Sequence, residues 1–296
     1  MNPGAPSGGH SWLTHTPALR ALLFPALYLR RRWRAWRQAP TLQAWASLSA
    51  LLAEDAVVNA PAFKGKFAIG ARSDILRRLL LTGAYEDELA ATCQRYLDPQ
   101  RDAIDVGANI GLYTVLLARL APERRVLAIE PTPAALARLR RNLEINAIGD
   151  QVRVFAGAAA GSNSQVEMRI VSGKEEYSTA GALAHPSVAG ADYQTISVPA
   201  RTIDDLVAEY DLKPGFMKID VEGMEHAVLA GMDEVISAHR PVILAELSDP
   251  LLRRNGSSAR AVMATMRQRG YTLVDPLHPR GTPGARAFGD LLCLPP

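Results

Sequence analysis

Two groups of residues have the types and spacing to do chemistry: Asp105, Gly107, Asn109 and Gly111 followed by Glu130, and Lys218, Asp220, Glu222 and Glu225 followed by Glu246. The first group follows the apolar pair Ala103 and Ile104 and leads into the run Leu112 to Leu120. That order reads as a buried strand, a glycine turn and a helix N-terminus. Such a turn offers unpaired N–H groups and the positive end of a helix dipole to a nucleotide or an amino-acid carboxylate. A dinucleotide loop would carry glycine where Asn109 stands, because a pyrophosphate must press onto bare backbone. Glu130 ends the next apolar run, Val126 to Ile129, where a carboxylate can accept both ribose hydroxyls. Ribose without pyrophosphate is what S-adenosylmethionine presents. The loop is therefore read as a class I methyltransferase cofactor site, with a dinucleotide-dependent oxidoreductase as the weaker reading.

The second group sits at the end of the run Phe216 to Ile219. Lys218 and Asp220 are two residues apart and share one strand face. Charges at the carboxyl end of a buried parallel strand are costly unless paired or functional. Pro241 to Glu246 repeats the design, a buried strand ending in an acid. Asp220, Glu222 and Glu246 are thus expected to converge on one rim beside Lys218 as the candidate catalytic groups. Carboxylates crowded together resist shared ionisation, so one of them can take the proton of an acceptor alcohol. A divalent metal held by these acids is the less favoured alternative, since no cluster of Asp and Asn completes the octahedron that magnesium requires. No metal ligand is assigned. A non-catalytic scaffold that merely binds the cofactor would lack this second cluster. The competing reading of Glu222 and Glu225 is as acids at a helix N-terminus, and of His226 as a solvated helix residue.

The elements that must position these groups follow from periodicity. Thr132 to Asn146 reads as a helix with Leu136, Leu139 and Leu143 on one side, Val152 to Phe155 as a third strand, and Ile203 to Tyr210 as a helix before the Phe216 strand. Alternating strands and helices make a doubly wound, mostly parallel sheet with ligands at the carboxyl ends of its strands. Between Gly161 and Thr202 the rhythm stops. Val166 to Val171 and Thr195 to Val198 alternate instead, which predicts a β-hairpin insertion over the site, with Tyr177, His185 and Tyr193 in or beside its loop. His185 is read as an exposed loop histidine rather than a base. Upstream, Ile75 to Leu81 and Tyr85 to Leu89 predict a helical cover preceding the cofactor strand, in which Tyr85 and Glu86 are read either as lid residues or, more simply, as capping residues on a solvated face.

The chain of 296 residues carries a formal net charge of +3, yet residues 1–40 hold six arginines and no acid, which leaves −3 on the remainder. A mildly acidic body does not suit nucleic-acid binding. Residues 1–40 are read as a basic, aromatic extension. Within it, residues 17–40 predict a helix for peripheral contact with an anionic membrane, against the simpler reading of a helix packed on the body or on a partner. Residues 41–296 are assigned to one domain, with the catalytic core beginning near residue 100. Cys93 and Cys293 stand far apart without C-x-x-C spacing, so both are read as core residues of a cytoplasmic protein.

Asp105 to Gly111, the Glu130-Pro131 pair, Lys218 to Gly223 followed by Glu225, and the Ala245-Glu246 pair together resemble the FkbM family of S-adenosylmethionine-dependent methyltransferases. The resemblance covers residues 65–296 in order. It implies a Rossmann-like sheet of about seven strands and methyl transfer to a hydroxyl of a sugar or secondary metabolite. It also assigns cofactor binding to Asp105, Gly107, Asn109, Gly111 and Glu130, and the active-site rim to the Lys218–Glu225 run. The acceptor it implies is a small molecule or glycan, and the family pattern does not include the extension before Thr41.

Overall fold

A computed structural model describes residues 55–171, 192–279 and 288–296, all within one compact unit, Glu54–Pro296. The basic extension, Tyr177 and His185 lie outside the described residues.

The chain enters through a two-stranded antiparallel hairpin, β1 (Ala56–Ala60) and β2 (Gly65–Ile69). The sequence signals a helical cover before the cofactor strand, and the hairpin stands in addition to it. Its strands are five residues each, too short to show a clear period, and they are held by a helix far along the chain. The expected helices follow. α1 (Asp74–Thr82) starts where the Ser73 hydroxyl accepts the Ile75 N–H and stops at Gly83, whose φ of 75° suits the left-handed cap. α2 (Asp87–Tyr96) buries Leu89, Ala90 and Cys93.

Strand and helix then alternate: β3 (Asp102–Val106), α3 (Leu112–Leu120), β4 (Val126–Ile129), α4 (Pro133–Ile145), β5 (Val152–Phe155). β3 and β4 are buried along their whole length, as central strands covered by helices are, although β3 carries Asp102 and Asp105. The short β6 (Ala158–Ala159) joins β7 (Ser164–Val171) and β8 (Tyr193–Arg201) in a separate three-stranded sheet. β7 and β8 pair antiparallel from Ser164–Ala200 to Val171–Tyr193, which is the expected hairpin insertion.

The chain returns through α5 (Ile203–Glu209) to β9 (Pro214–Ile219), α6 (Glu225–Ala230), α7 (Asp233–His239) and β10 (Val242–Ser248). Two helices, α8 (Asp249–Arg254) and α9 (Ala259–Gln268), and two strands, β11 (Thr272–Val274) and β12 (Phe288–Leu294), complete it. The main sheet has the order β11-β12-β10-β9-β3-β4-β5. β12 alone runs against its neighbours. From β3 the chain winds outward through β4 and β5, then crosses back to β9 and winds the other way. The reversal between β3 and β9 opens a crevice at their carboxyl ends, where doubly wound sheets bind ligands. This is the Rossmann-like class I architecture expected from the sequence.

Candidate active site

The crevice contains a cavity of about 400 Å³, within the usual range for small-molecule sites. One wall is the loop after β3. Gly107, Asn109 and Gly111 all have positive φ, 81°, 49° and 89°. Asparagine is among the few side chains that tolerate that region, so Asn109 turns the loop where a dinucleotide site would use glycine. Gly107 is obligatory for a second reason: a Cβ there would stand 1.8 Å from the carbonyl oxygen of Asp220. The two sequence motifs therefore touch backbone to backbone. The Asp220 N–H also donates to the Val106 carbonyl at 2.9 Å, which extends the β3–β9 pairing into the site.

Glu130 closes this wall. Its Oε2 accepts the Asn109 N–H at 2.8 Å, and its Oε1 accepts the Thr132 N–H at 2.8 Å and the Thr132 hydroxyl at 2.6 Å. The carboxyl lines the cavity and also fixes the loop, a role the sequence reading did not assign it. Burial raises its pKa, opposed by those hydrogen bonds. Asp105 and Gly111 do not line the cavity. The Asp105 carboxylate is buried beneath it and accepts the Thr114 hydroxyl at 2.6 Å; burial lifts its pKa to about 6, with the Thr114 bond and Lys218 opposing. Gly111 packs on Leu139, which a Cβ would meet at 2.6 Å. Both support the loop from below.

The opposite wall carries the charges. Lys218 and Asp220 share a face as the period of two requires, with Nζ 3.3 Å from Oδ2. Only 1% of the Lys218 side chain is exposed. Burial alone would depress its pKa, but the carboxylates of Asp220, Glu246, Glu86 and Asp290 outweigh burial and raise it. The ammonium also lies 5.2 Å from the centre of the Tyr113 ring. Glu246 reaches the same cavity from β10. The neighbouring Asp220 charge, then burial, pushes its pKa well above the carboxylate range, while Lys218 opposes. Glu222 lines the rim with φ at 50°, and Gly223 follows at 91°. Asp220, Glu222, Glu246 and Lys218 are thus brought together.

Glu225 is not part of that rim. It is 2% exposed, its Oε1 accepts the Gly223 N–H at 3.0 Å, and burial lifts its pKa to about 7. It caps a local turn, as one of the two sequence readings held. His226 is partly buried rather than solvated, and desolvation lowers its pKa.

Asp290, Arg77 and Arg78 are not singled out by the sequence. Asp290 faces Glu246 directly in the β10–β12 register, and burial raises its pKa to about 6. No local signal could reveal it, because the pairing joins residues far apart in the chain. Glu86 and Tyr85 line the cavity together with Arg77 and Arg78 of α1. The Tyr113 hydroxyl donates to Glu86 Oε2 at 2.9 Å, and Arg78 stacks on the Tyr85 ring at 4.5 Å. Tyr85 and Glu86 thus stand at the cavity, with Glu86 also the N-cap residue of α2, its side chain making no cap bond. Met168 and Val166 of the hairpin insertion complete the wall.

The cavity lining combines apolar Ile129, Ala158 and Met224 with polar Asn109 and Glu130, a mixture that fits an adenosyl group. A metal fits less well. Among the described residues no three His, Cys, Asp or Glu side chains are arranged to hold one, and the Lys218 ammonium already supplies the cation among the acids.

The model of the methyltransferase FkbM domain matches residues 105–273. The 2-O-methyltransferase NoeI of Sinorhizobium fredii is 29% identical over 175 residues, covering 56% of this chain and 70% of that protein. The 31-O-demethyl-FK506 methyltransferase FkbM of Streptomyces tacrolimicus is 28% identical over 206 residues, 61% of this chain and 77% of that protein. The hexuronic acid methyltransferase AglP of Haloferax volcanii is 28% identical over 171 residues, 56% of this chain and 59% of that protein.

Proposed function

This chain belongs to the FkbM methyltransferase family, and from that premise we propose that it methylates a hydroxyl oxygen of a sugar or secondary metabolite, using S-adenosylmethionine. The observation that carries the reading is the single cavity in which Gly107, Asn109 and Glu130 face Asp220, Glu222 and Glu246. A nucleoside end and a proton-accepting end meet there. Oxygen as the acceptor is in keeping with two relatives that are O-methyltransferases, and a sugar acceptor with the hexuronic acid methyltransferase.

Asn109 and Glu130 would hold the adenosyl group, and S-adenosylmethionine when bound supplies an electrophilic methyl on a sulfonium. The rest of the task falls to this chain's own residues. An alcohol must be aligned in line with the methyl and relieved of its proton. Asp220 and Glu246 share one negative region, and the charge of Asp220 makes the Glu246 carboxylate a stronger base than an isolated one. The pair takes the hydroxyl proton. Lys218 holds Asp220 in place through the 3.3 Å contact and keeps the cluster from carrying its full negative charge uncompensated. Tyr85, Glu86 and Met168, which line the same cavity, would bound the space for the acceptor.

The test is methyl transfer from isotopically labelled S-adenosylmethionine to fractionated glycans and metabolites, read by mass spectrometry. The expected result is label on an oxygen of a hydroxylated acceptor, with one S-adenosylhomocysteine formed per methyl. Label on nitrogen or carbon, or no transfer with cofactor bound, would overturn the proposal.

A further inference from the structure

The β1–β2 hairpin precedes the matched residues 105–273, yet its free edge is wired to the cofactor loop. Asn142 on α4 and Asn146, the C-cap residue that ends it, lie one turn apart and are buried, 0% and 6% exposed. Each treats a residue of β2 as a neighbouring strand would. Asn142 Oδ1 accepts the Ala68 N–H at 2.7 Å, and its Nδ2 donates to the Ala68 carbonyl at 3.2 Å. Asn146 Oδ1 accepts the Lys66 N–H at 3.1 Å, and its Nδ2 donates to the Lys66 carbonyl at 2.7 Å. The two amides thus cover the edge that a two-stranded sheet leaves open.

They differ in one bond. The second N–H of Asn142 donates to the carbonyl of Ile110, at 2.8 Å, inside the glycine loop. The remaining N–H of Asn146 goes back to its own helix, to the Asn142 carbonyl at 2.8 Å. Asn142 therefore joins helix, hairpin and loop. Ile110 lies between Asn109 and Gly111, both at positive φ, where the backbone has little preference of its own to hold the turn. Glu130 fixes this turn through the Asn109 N–H from the cavity side, and Asn142 fixes it from behind.

We propose that Asn142 is a positioning residue for the cofactor loop, and that the β1–β2 hairpin serves the cofactor site by setting the orientation of the Asn142 amide. The proposal rests on the S-adenosylmethionine reading of that loop. It predicts that two asparagines with near-identical contacts to the hairpin have different functions: Asn142 governs cofactor affinity and stability, Asn146 stability alone.

The test uses the full chain, with calorimetry of S-adenosylhomocysteine binding and thermal unfolding of Asn142→Ser and Asn146→Ser. Both variants should lower Tm. Asn142→Ser should raise the Kd about tenfold, the worth of one buried hydrogen bond, and Asn146→Ser should leave it within about twofold. Unchanged affinity in Asn142→Ser, or equal losses in both variants, would overturn the proposal. Should Asn142→Ser not fold, the unaltered protein decides by reciprocity: ligand that needs the loop ordered must slow hydrogen exchange at the Ala68 amide. Exchange there unaffected by saturating S-adenosylhomocysteine would overturn the proposal equally. An unaltered chain that binds no S-adenosylhomocysteine would remove the cofactor reading itself, a distinct outcome.

Discussion

On the β3–β4 side of the cavity the polar groups satisfy one another: Glu130 takes three donors, Asp105 takes Thr114, and the loop carbonyl of Ile110 takes Asn142. The β9–β10–β12 side is different. The buried side-chain atoms left without a hydrogen-bond partner among the described residues are Glu225 Oε2, His226 Nδ1, Ser248 Oγ and Asp290 Oδ1, all on this side. One wall is finished by the chain itself, as a binding surface must be to hold its shape before the ligand arrives. The other side keeps its unmet polar atoms behind the cavity lining and, at the cavity, crowds its acids: the Asp220 charge is the first cause of the raised Glu246 pKa, whereas burial is the first cause at Asp105 and Glu130. A surface that only binds gains from full satisfaction. A surface that must accept a proton gains from acids that their neighbours disfavour as anions.

The difference is open to attack by substitution on each wall. Asp220→Asn should lower turnover by ~10²–10⁴, the usual loss of a general base, while cofactor affinity stays within a few-fold; steady-state kinetics and calorimetry separate the two. Turnover of the unaltered enzyme should fall as pH drops through the raised Glu246 pKa, and a chelator should leave it unchanged. Loss of cofactor affinity in Asp220→Asn would mean the walls are not separable. Glu130→Ala attacks the other side and should weaken S-adenosylhomocysteine binding by the ~1.5–3 kcal/mol of a charged hydrogen-bond partner, with turnover at saturating cofactor within a few-fold. Unchanged affinity would sink the division of labour.

The smallest expected effect concerns stability. Glu225 is held at about 7 in the folded chain against an ordinary 4.5, with burial the main cause. The folded state therefore binds the proton more tightly than the unfolded one. Its contribution is fully present below the ordinary value and is lost as pH rises through about 7. Glu225→Gln keeps an acceptor for the Gly223 N–H and removes the titration. Denaturant unfolding should find the variant close to the parent on the acid side of that window, and more stable by roughly 1–3 kcal/mol on the alkaline side. Parallel pH curves for the two proteins would show that Glu225 stays ionised inside.

Most of this architecture was legible because it is local. Glycines at fixed offsets, acids ending apolar runs and the period of two at Lys218 and Asp220 all act over a few residues, and the structure brings Gly107, Asn109, Glu130, Asp220, Glu222 and Glu246 to one cavity. The hairpin insertion was legible from the alternation of Val166 to Val171. The β1–β2 hairpin was not, since Lys66 to Ile69 is too short to declare a period and its edge is completed by Asn142 and Asn146 about seventy to eighty residues away. Asp290 was hidden for the same reason: its meaning comes from standing opposite Glu246 across an antiparallel pair. Asp105 and Gly111 read as ligand contacts because motifs do not show depth, and only the packing reveals that they lie underneath.

Lys218 carries a further implication, for screening. Mobile ions screen exposed charges from one another over a length of about 10 Å at 0.1 M salt, and screen buried charges much less. Arg253 and Asp249, joined on the surface of α8 with the arginine 68% exposed, will loosen as ionic strength rises. The Lys218–Asp220 pair, with its lysine sealed inside the protein, carries its counterion within the chain. With Asp220 itself 33% exposed, added salt reaches this pair from the acid's side alone, so it should loosen less than the surface pair as ionic strength rises.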